Sequence, residues 1–256
     1  MVNKQSLWVV TGAVSGIGAA VTKAARAAGA EVLALDVNDE LGERIAQETG
    51  ATYQHCDVSD PADWAAVTTA LAKLGTPTHV HLNAGIQIAP PNAPMSEYAF
   101  EAMQLERYRR MMGVNVDGVV FGLQALLPLL EAGAGVVVTA SLAGVTPYAV
   151  DPLYSMSKHA VVGLVRSLGP TLAQRDIRIS ALCPGGIDTN IIPHQQRTDD
   201  AVFMTPEAIA AEVQRLMTVA ETGKSWAKVA QNKPAFIIRA PGDKTGKTDK
   251  TEPRGG

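Results

Sequence analysis

The chain has 256 residues, 46% of them hydrophobic and 18% charged, the size and balance of one globular α/β domain with a substantial core. Lys and Arg number 22 against 25 Asp and Glu, and a net charge of −3 excludes the electrostatic footprint of a nucleic-acid or anionic-membrane binder. Two cysteines, Cys56 and Cys183, are too few for a disulfide framework and read as reduced thiols of a cytoplasmic protein; no signal-peptide layout opens the sequence, and its apolar runs are broken by Gly or Pro before the ~18 residues of a membrane span.

Short apolar β-type runs alternate with longer amphipathic stretches, the pattern of parallel strands joined by crossover helices. Strands are predicted at residues 7–10, 31–35, 52–56, 79–82, 135–139, 178–182 and 235–238. Helices are predicted at 17–28, 40–48, 61–74, 98–130 with a break near Gly113, 152–174 and 206–222. Asp60 before Pro61 and Thr205 before Pro206 are N-cap and first-turn Pro signals. The fold class is therefore α/β with a doubly wound, seven-stranded parallel sheet. Residues 1–240 read as one domain, and residues 241–256, which lack any large apolar side chain, as a flexible tail.

After the first strand comes Thr11-Gly12-Ala13-Val14-Ser15-Gly16-Ile17-Gly18, and a helix pattern follows at once. A glycine-rich turn at a helix N-terminus is an anion site: free amides and the helix dipole face a phosphate, and missing Cβ atoms let the backbone approach it. Asp36 closes the second strand eighteen residues after Gly18, where a carboxylate can accept from both ribose hydroxyls of an adenosine and repel a 2′-phosphate. A second phosphate-loop candidate, Gly223-Lys224-Ser225, fails because Thr218 stands where that motif requires Gly.

Tyr154 and Lys158 are four apart at the start of a predicted helix and so share a face. A free phenol titrates near ~10, and a fixed cation nearby favours its ionised form. A hydroxyl so tuned can exchange a proton with an alcohol or ketone oxygen. Ser141, just beyond the fifth strand, falls at the C-terminal edge of the sheet, where doubly wound folds bind ligands.

Together with Asp57, Asn83-Ala84-Gly85, Asn115 and Pro184-Gly185, these residues resemble the short-chain dehydrogenase/reductase family, over residues 7 to about 190. The resemblance implies a Rossmann fold, NAD as cofactor, and a secondary alcohol or ketone as substrate. It assigns Tyr154 as general acid/base, Lys158 as the residue that lowers its pKa and holds the nicotinamide ribose, Ser141 as substrate orienter and Asn115 as the kink of the long helix that anchors a water leading to the lysine. Cofactor contacts are assigned to Thr11, Gly12, Ser15, Gly16, Ile17, Gly18, Asp36, Val37, Cys56, Asp57, Val58, Asn83, Ala84, Gly85, Tyr154, Lys158, Pro184, Gly185, Ile187 and Thr189. NAD is favoured over NADP because Ser15 and Val37 stand where NADP-using relatives carry a basic residue. Substrate contacts are assigned to Gln87, Ser141, Leu142, Tyr148, Tyr154, Gly186, Ile191 and Ile192, with Ile88 and Phe203 beside them under a mobile lid at 187–204.

The remaining candidates have blander readings. His79 and His81 alternate on a strand with no third ligand nearby, which favours a structural role over a metal. The cluster Arg107, Arg109, Arg110 reads as a solvated helix face. Helical segments 114–130 and 153–172 are apolar around more than one side, and relatives use these helices in a four-helix subunit interface, so a homotetramer is expected. The alternative function is a non-catalytic NAD-binding sensor or scaffold with the same fold.

Overall fold

The computed structural model describes residues 6–198, 200–219 and 221–240; the expected tail at 241–256 lies outside the described residues. One eight-stranded sheet has the order β3-β2-β1-β4-β5-β6-β7-β8. Its strands are β1 (Leu7–Thr11), β2 (Glu31–Asp36), β3 (Thr52–His55), β4 (His79–Leu82), β5 (Gly135–Thr139), β6 (Arg178–Pro184), β7 (Lys224–Lys228) and β8 (Phe236–Ile238). The first seven are parallel, and among the described residues only β8 pairs antiparallel.

Central strands are apolar on both faces because both faces are covered. Leu7 and Val9 point into a core shared with Trp64 and Val67 of α3 (Pro61–Leu74), Leu123 of α5 (Gly118–Leu126) and Val161 and Val165 of α6 (Pro152–Ala173). Trp8 and Val10 point the other way, onto Val21 and Ala25 of α1 (Gly16–Ala27) and Val213 and Leu216 of α7 (Pro206–Val219). Helix α2 (Asp39–Thr49) covers β2 and β3, starting at an Asn38 cap and ending at left-handed Gly50. The Asp60 carboxylate caps α3 through the Ala62 amide at 2.8 Å, as its sequence signal foretold.

Three elements depart from the sequence expectation. The seventh parallel strand is β7, over residues 224–228, while the predicted run at 235–238 forms the antiparallel β8. β7 reads Lys-Ser-Trp-Ala-Lys, and its polar residues Ser225 and Lys228 are buried because groups outside the strand satisfy them. Ser225 Oγ accepts from Arg166 Nε at 3.1 Å, and Lys228 Nζ meets Glu212 Oε1 at 3.3 Å and the carbonyls of Gln231 and Lys233. The predicted helix at 98–130 starts only at α4 (Leu105–Met112). Short 3₁₀ turns precede it, since Tyr98 is buried with its hydroxyl on the Pro90 carbonyl at 2.6 Å and Ala99 and Met103 are extended. A π-helical turn at Gly113–Asp117 then joins α4 to α5. The continuous helical stretch Leu105–Leu129 is long and apolar enough to cross a bilayer by length and composition; here it packs between α3 and α6.

Candidate active site

The C-terminal ends of β1, β4, β5 and β6 surround a cavity of about 740 Å³, within the range of small-molecule sites. Its wall includes Gly12, Ser15, Gly16 and Ile17 from the glycine turn, Asn83 to Pro91 after β4, Thr139 to Ala143 after β5, Tyr154 and Lys158 of α6, and Pro184 to Ile187 after β6.

The glycine turn is built for a close backbone approach. Gly12 has φ +61°, and a Cβ there would lie 3.0 Å from Ala84 Cα; a Cβ on Gly18 would lie 1.9 Å from the Gly12 carbonyl oxygen. At the first residue before α1, Ser15 makes no side-chain cap, and no acidic residue sits in the first turn, so the helix's leading amides and dipole are left for an anion. This donor set fits a dinucleotide's pyrophosphate. Asp36 accepts from the Asn38 amide at 3.1 Å and the Val14 amide at 3.4 Å, one on each oxygen, and each oxygen keeps a lone pair for a further donor.

Several residues assigned to the cofactor have their side chains committed inside the protein. Thr11 Oγ1 accepts from the Asn83 and Ala84 amides at 2.8 and 3.1 Å. Asp57 Oδ1 accepts from the Ser59 amide and hydroxyl. Cys56 and Val58 are core side chains, the Cys56 thiol pushed up to about 12 by burial. Thr189 packs on the glycine turn, its Cγ2 2.9 Å from where a Gly16 Cβ would be.

The catalytic-type residues are held from several elements. Asp151 caps α6: one oxygen accepts from the Tyr154 amide at 2.8 Å and the other from the Ile88 amide at 2.9 Å, which ties Tyr154 to the β4 loop. Ser155 Oγ donates to the Ala143 carbonyl at 2.7 Å and holds the Ser141 turn against the same helix. Ser141 Oγ accepts from the Ala143 amide at 3.1 Å and its hydroxyl is hydrogen-bonded with the Tyr154 phenol, so the two hydroxyls face the cavity as a pair. Lys158 Nζ sits 5.6 Å from the Tyr154 ring centroid and donates to the Thr139 carbonyl at 2.9 Å. Gly85 makes room for this ammonium, which lies 3.2 Å from the position a Cβ would take. Asn115 lies in the π-turn and is fully buried; it accepts from the Ile86 amide, donates to the Ile86 carbonyl, both at 2.8 Å, and donates to Ser157 Oγ at 3.0 Å.

The electrostatics differ from the sequence expectation. Burial pushes the Tyr154 phenol above its ordinary value, and the group that pulls it back is Ser141 rather than Lys158. The same burial pushes Lys158 down to about 8. Both groups are therefore driven toward their neutral forms.

On the substrate side, Gln87 Nε2 donates to the Ile191 carbonyl at 3.0 Å, and the Tyr148 hydroxyl donates to Gln196 Oε1 at 3.1 Å. Tyr148 meets Tyr154 edge to face with ring centroids 6.1 Å apart. Ile88, Leu142, Gly186, Ile191, Ile192 and Phe203 line the same cavity. Of the basic cluster on α4, Arg109 and Arg110 are exposed, as a solvated face requires, while Arg107 is half-buried and pairs with Glu97; Arg107 and Arg110 also border the cavity. Asp151 is the positioning residue that sequence reading missed, although Asp151-Pro152 is the same cap signal as Asp60-Pro61.

Residues 7–200 match the short chain dehydrogenase family. The chain is 36% identical over 197 residues to a 2,5-dichloro-2,5-cyclohexadiene-1,4-diol dehydrogenase of Sphingobium indicum, which covers 75% of this chain and 76% of that protein. It is 33% identical over 209 residues to a 3-alpha-(or 20-beta)-hydroxysteroid dehydrogenase of Mycobacterium bovis, covering 80% and 76%. A solved 3-ketoacyl-(acyl-carrier-protein) reductase from Brucella melitensis, complexed with NADH, superposes with a TM-score of 0.76 at 28% identity over 88% of this chain and 96% of that one. With its parallel 3-2-1-4-5-6-7 sheet and its motifs in one cleft, the chain belongs to the short-chain dehydrogenase/reductase family, whose members are NAD(P)-using oxidoreductases acting on small molecules.

Proposed function

We propose that this protein is an NAD-dependent oxidoreductase that interconverts a secondary alcohol and a ketone. The observation that carries the reading is the convergence of Tyr154, Ser141 and Lys158 on one cavity that also reaches the glycine turn. The names of its relatives, dehydrogenases of a cyclohexadiene diol and of hydroxysteroids, support alcohol chemistry. A nicotinamide dinucleotide supplies or accepts the hydride. Gly12, Gly16 and the leading amides of α1 would hold its pyrophosphate, Asp36 its adenosine ribose, and Lys158 its other ribose. Asp36, with Ser15 and Val37 in place of cations, favours NAD over NADP.

Ser141, paired with Tyr154, orients the substrate oxygen by a hydrogen bond from its hydroxyl. Tyr154 gives its phenol proton to a ketone oxygen in reduction; in oxidation the phenolate, formed once that proton has left to solvent, takes the hydroxyl proton of the alcohol as the carbonyl forms. The raised phenol keeps its proton at neutral pH, the state that reduction needs. Ile88, Leu142, Ile191, Ile192 and Phe203 suit a substrate with an apolar body. Val120 on α5 and Met156 on α6 are exposed, which supports a homotetramer built on those helices.

Nicotinamide absorbance followed across secondary alcohols and ketones tests the reading. Tyr154→Phe is expected to lower kcat by about 10²–10⁴-fold while NAD affinity stays within about twofold. Unchanged turnover in that variant refutes the mechanism, and a higher kcat/KM with NADP refutes the cofactor choice.

A further inference from the structure

β4 carries two histidines on one face of the sheet, and the proposed chemistry uses neither. His79 stacks on Trp8 with ring centroids 4.6 Å apart. His81, nearer the cleft, is fully buried between its register partners Val10 and Val137. Its Nε2 lies 2.9 Å from Thr139 Oγ1. Thr139 spends its single hydroxyl proton on Asn83 Oδ1 at 3.1 Å, so the imidazole is the donor in this pair. The Asn83 amide is oriented independently, its Nδ2 facing the Thr11 and Gly12 carbonyls at 3.2 and 3.4 Å. Nδ1 of His81 is thereby left as a bare acceptor, and it is buried without a partner.

An aliphatic side chain between two valines would fill this space and leave no orphaned atom. What the imidazole adds is a bond to the acceptor side of the Thr139 hydroxyl. With both sides of that hydroxyl engaged, the residue is locked between His81 on β4 and Asn83, whose own amide reaches the glycine turn. Thr139 is also the residue whose carbonyl receives Lys158 Nζ. A connected run of hydrogen bonds thus links His81, Thr139, Asn83 and Gly12 on one side with Lys158 on the other. The ionisable groups that face the ammonium are Tyr154, on its own helix, and Cys183 on β6.

We propose that His81 is a positioning residue that acts through Thr139 to fix the seat of Lys158 relative to the glycine turn. The proposal rests on the reading in which Lys158 serves the alcohol–ketone reaction. Its effect on the lysine itself can nevertheless be measured without turnover.

The test follows the 13Cε resonance of Lys158 through a pH titration in protein labelled with 13C-lysine, assigned by its loss in Lys158→Arg. In the parent protein the midpoint is expected near 8. His81→Leu should keep or raise Tm, because an unsatisfied buried nitrogen is removed, yet move the midpoint up as the loosened ammonium hydrates. His81→Gln, which restores a donor toward Thr139, should bring it back. On an active substrate, kcat should fall about tenfold in His81→Leu with KM within about twofold. An unchanged midpoint in His81→Leu overturns the proposal, as does a lower Tm with no change at Lys158, the mark of a core-filling role. Should His81→Leu fail to fold, Thr139→Val breaks the same bond from its other end, and an unchanged Lys158 midpoint there is equally fatal. A parent protein that oxidises or reduces no substrate counts against the proposed function, while the titration still decides the role of His81.

Discussion

The two halves of the cleft are assembled on different principles. Around the glycine turn, side chains look inward: Thr11, Asn83 and Asp57 are consumed by neighbouring backbone and side-chain groups, and the surface left for a ligand is mostly peptide. On the substrate side, three residues of segment 191–196 are tied to another wall by a hydrogen bond to one side chain: Gln87 to the Ile191 carbonyl, the Met95 amide to Gln195 Oε1 and the Tyr148 hydroxyl to Gln196 Oε1. The first half tolerates almost no added atom. The second keeps one backbone tie, the His194 amide to the Pro91 carbonyl at 2.7 Å, and otherwise rests on contacts that other side chains of similar reach could replace.

The sharpest way to break the comparison is therefore one methyl group on the rigid side. In Gly18→Ala the new Cβ would meet the Gly12 carbonyl oxygen at 1.9 Å, a backbone atom that cannot swing away, so α1 must shift on β1. The expected outcome is a loss of about 3 kcal/mol of stability in denaturant titration, with NAD affinity falling at least about 100-fold. A variant that binds NAD normally would mean that the turn is not as constrained as its geometry indicates.

That difference also explains what was legible in the sequence. Positive φ and a vanished Cβ admit few residues, so Gly12, Gly16 and Gly18 announce the turn in any reading, and a Tyr and Lys on one helix face announce the chemistry. Asp57, Cys56 and Val58 stood at the right places in the chain, but nothing in the sequence says whether a side chain there turns to the ligand or the core. β7 was invisible for a related reason. Lys224 to Lys228 carries no apolar run, and its buried polar groups are satisfied by Arg166 and Glu212, far away in sequence. The cavity-facing side of α4 is hidden in the same way, because Arg107 and the exposed Arg110 border the cavity only once the fold brings Ile86 to Pro91 into the same wall.

Between the halves runs β4, and acid should open the molecule there. Burial lowers His79 to about 4 and His81 to about 3. Both folded values lie below that of a free imidazole, so the unfolded chain binds more protons below pH 6.5. Stability is full above that pH and falls as pH drops through 6.5 toward 4. A decrease of about 2 kcal/mol or more is expected between pH 7 and 4.5 in denaturant titrations, and His79→Phe, which keeps the stack on Trp8, should reduce the slope. A flat profile over that range would mean the seam is wetter than its packing indicates.

The smallest effect is expected on the substrate side. Gln196→Leu removes the acceptor of the Tyr148 hydroxyl but keeps the bulk of the side chain and leaves in place the segment's ties through Gln87, Gln195 and the His194 amide on the Pro91 carbonyl. One neutral hydrogen bond at a partly exposed site contributes about 0.5–1.5 kcal/mol, so Tm should hardly move. The Tyr148 ring sits against Tyr154, and loosening it widens the cavity beside the reacting oxygen without touching the acid itself. KM should therefore rise about two- to tenfold with kcat nearly constant, the signature of lost uniform binding. If kcat fell instead, the segment would be setting the geometry of Tyr154, and the substrate half would be as exacting as the glycine turn.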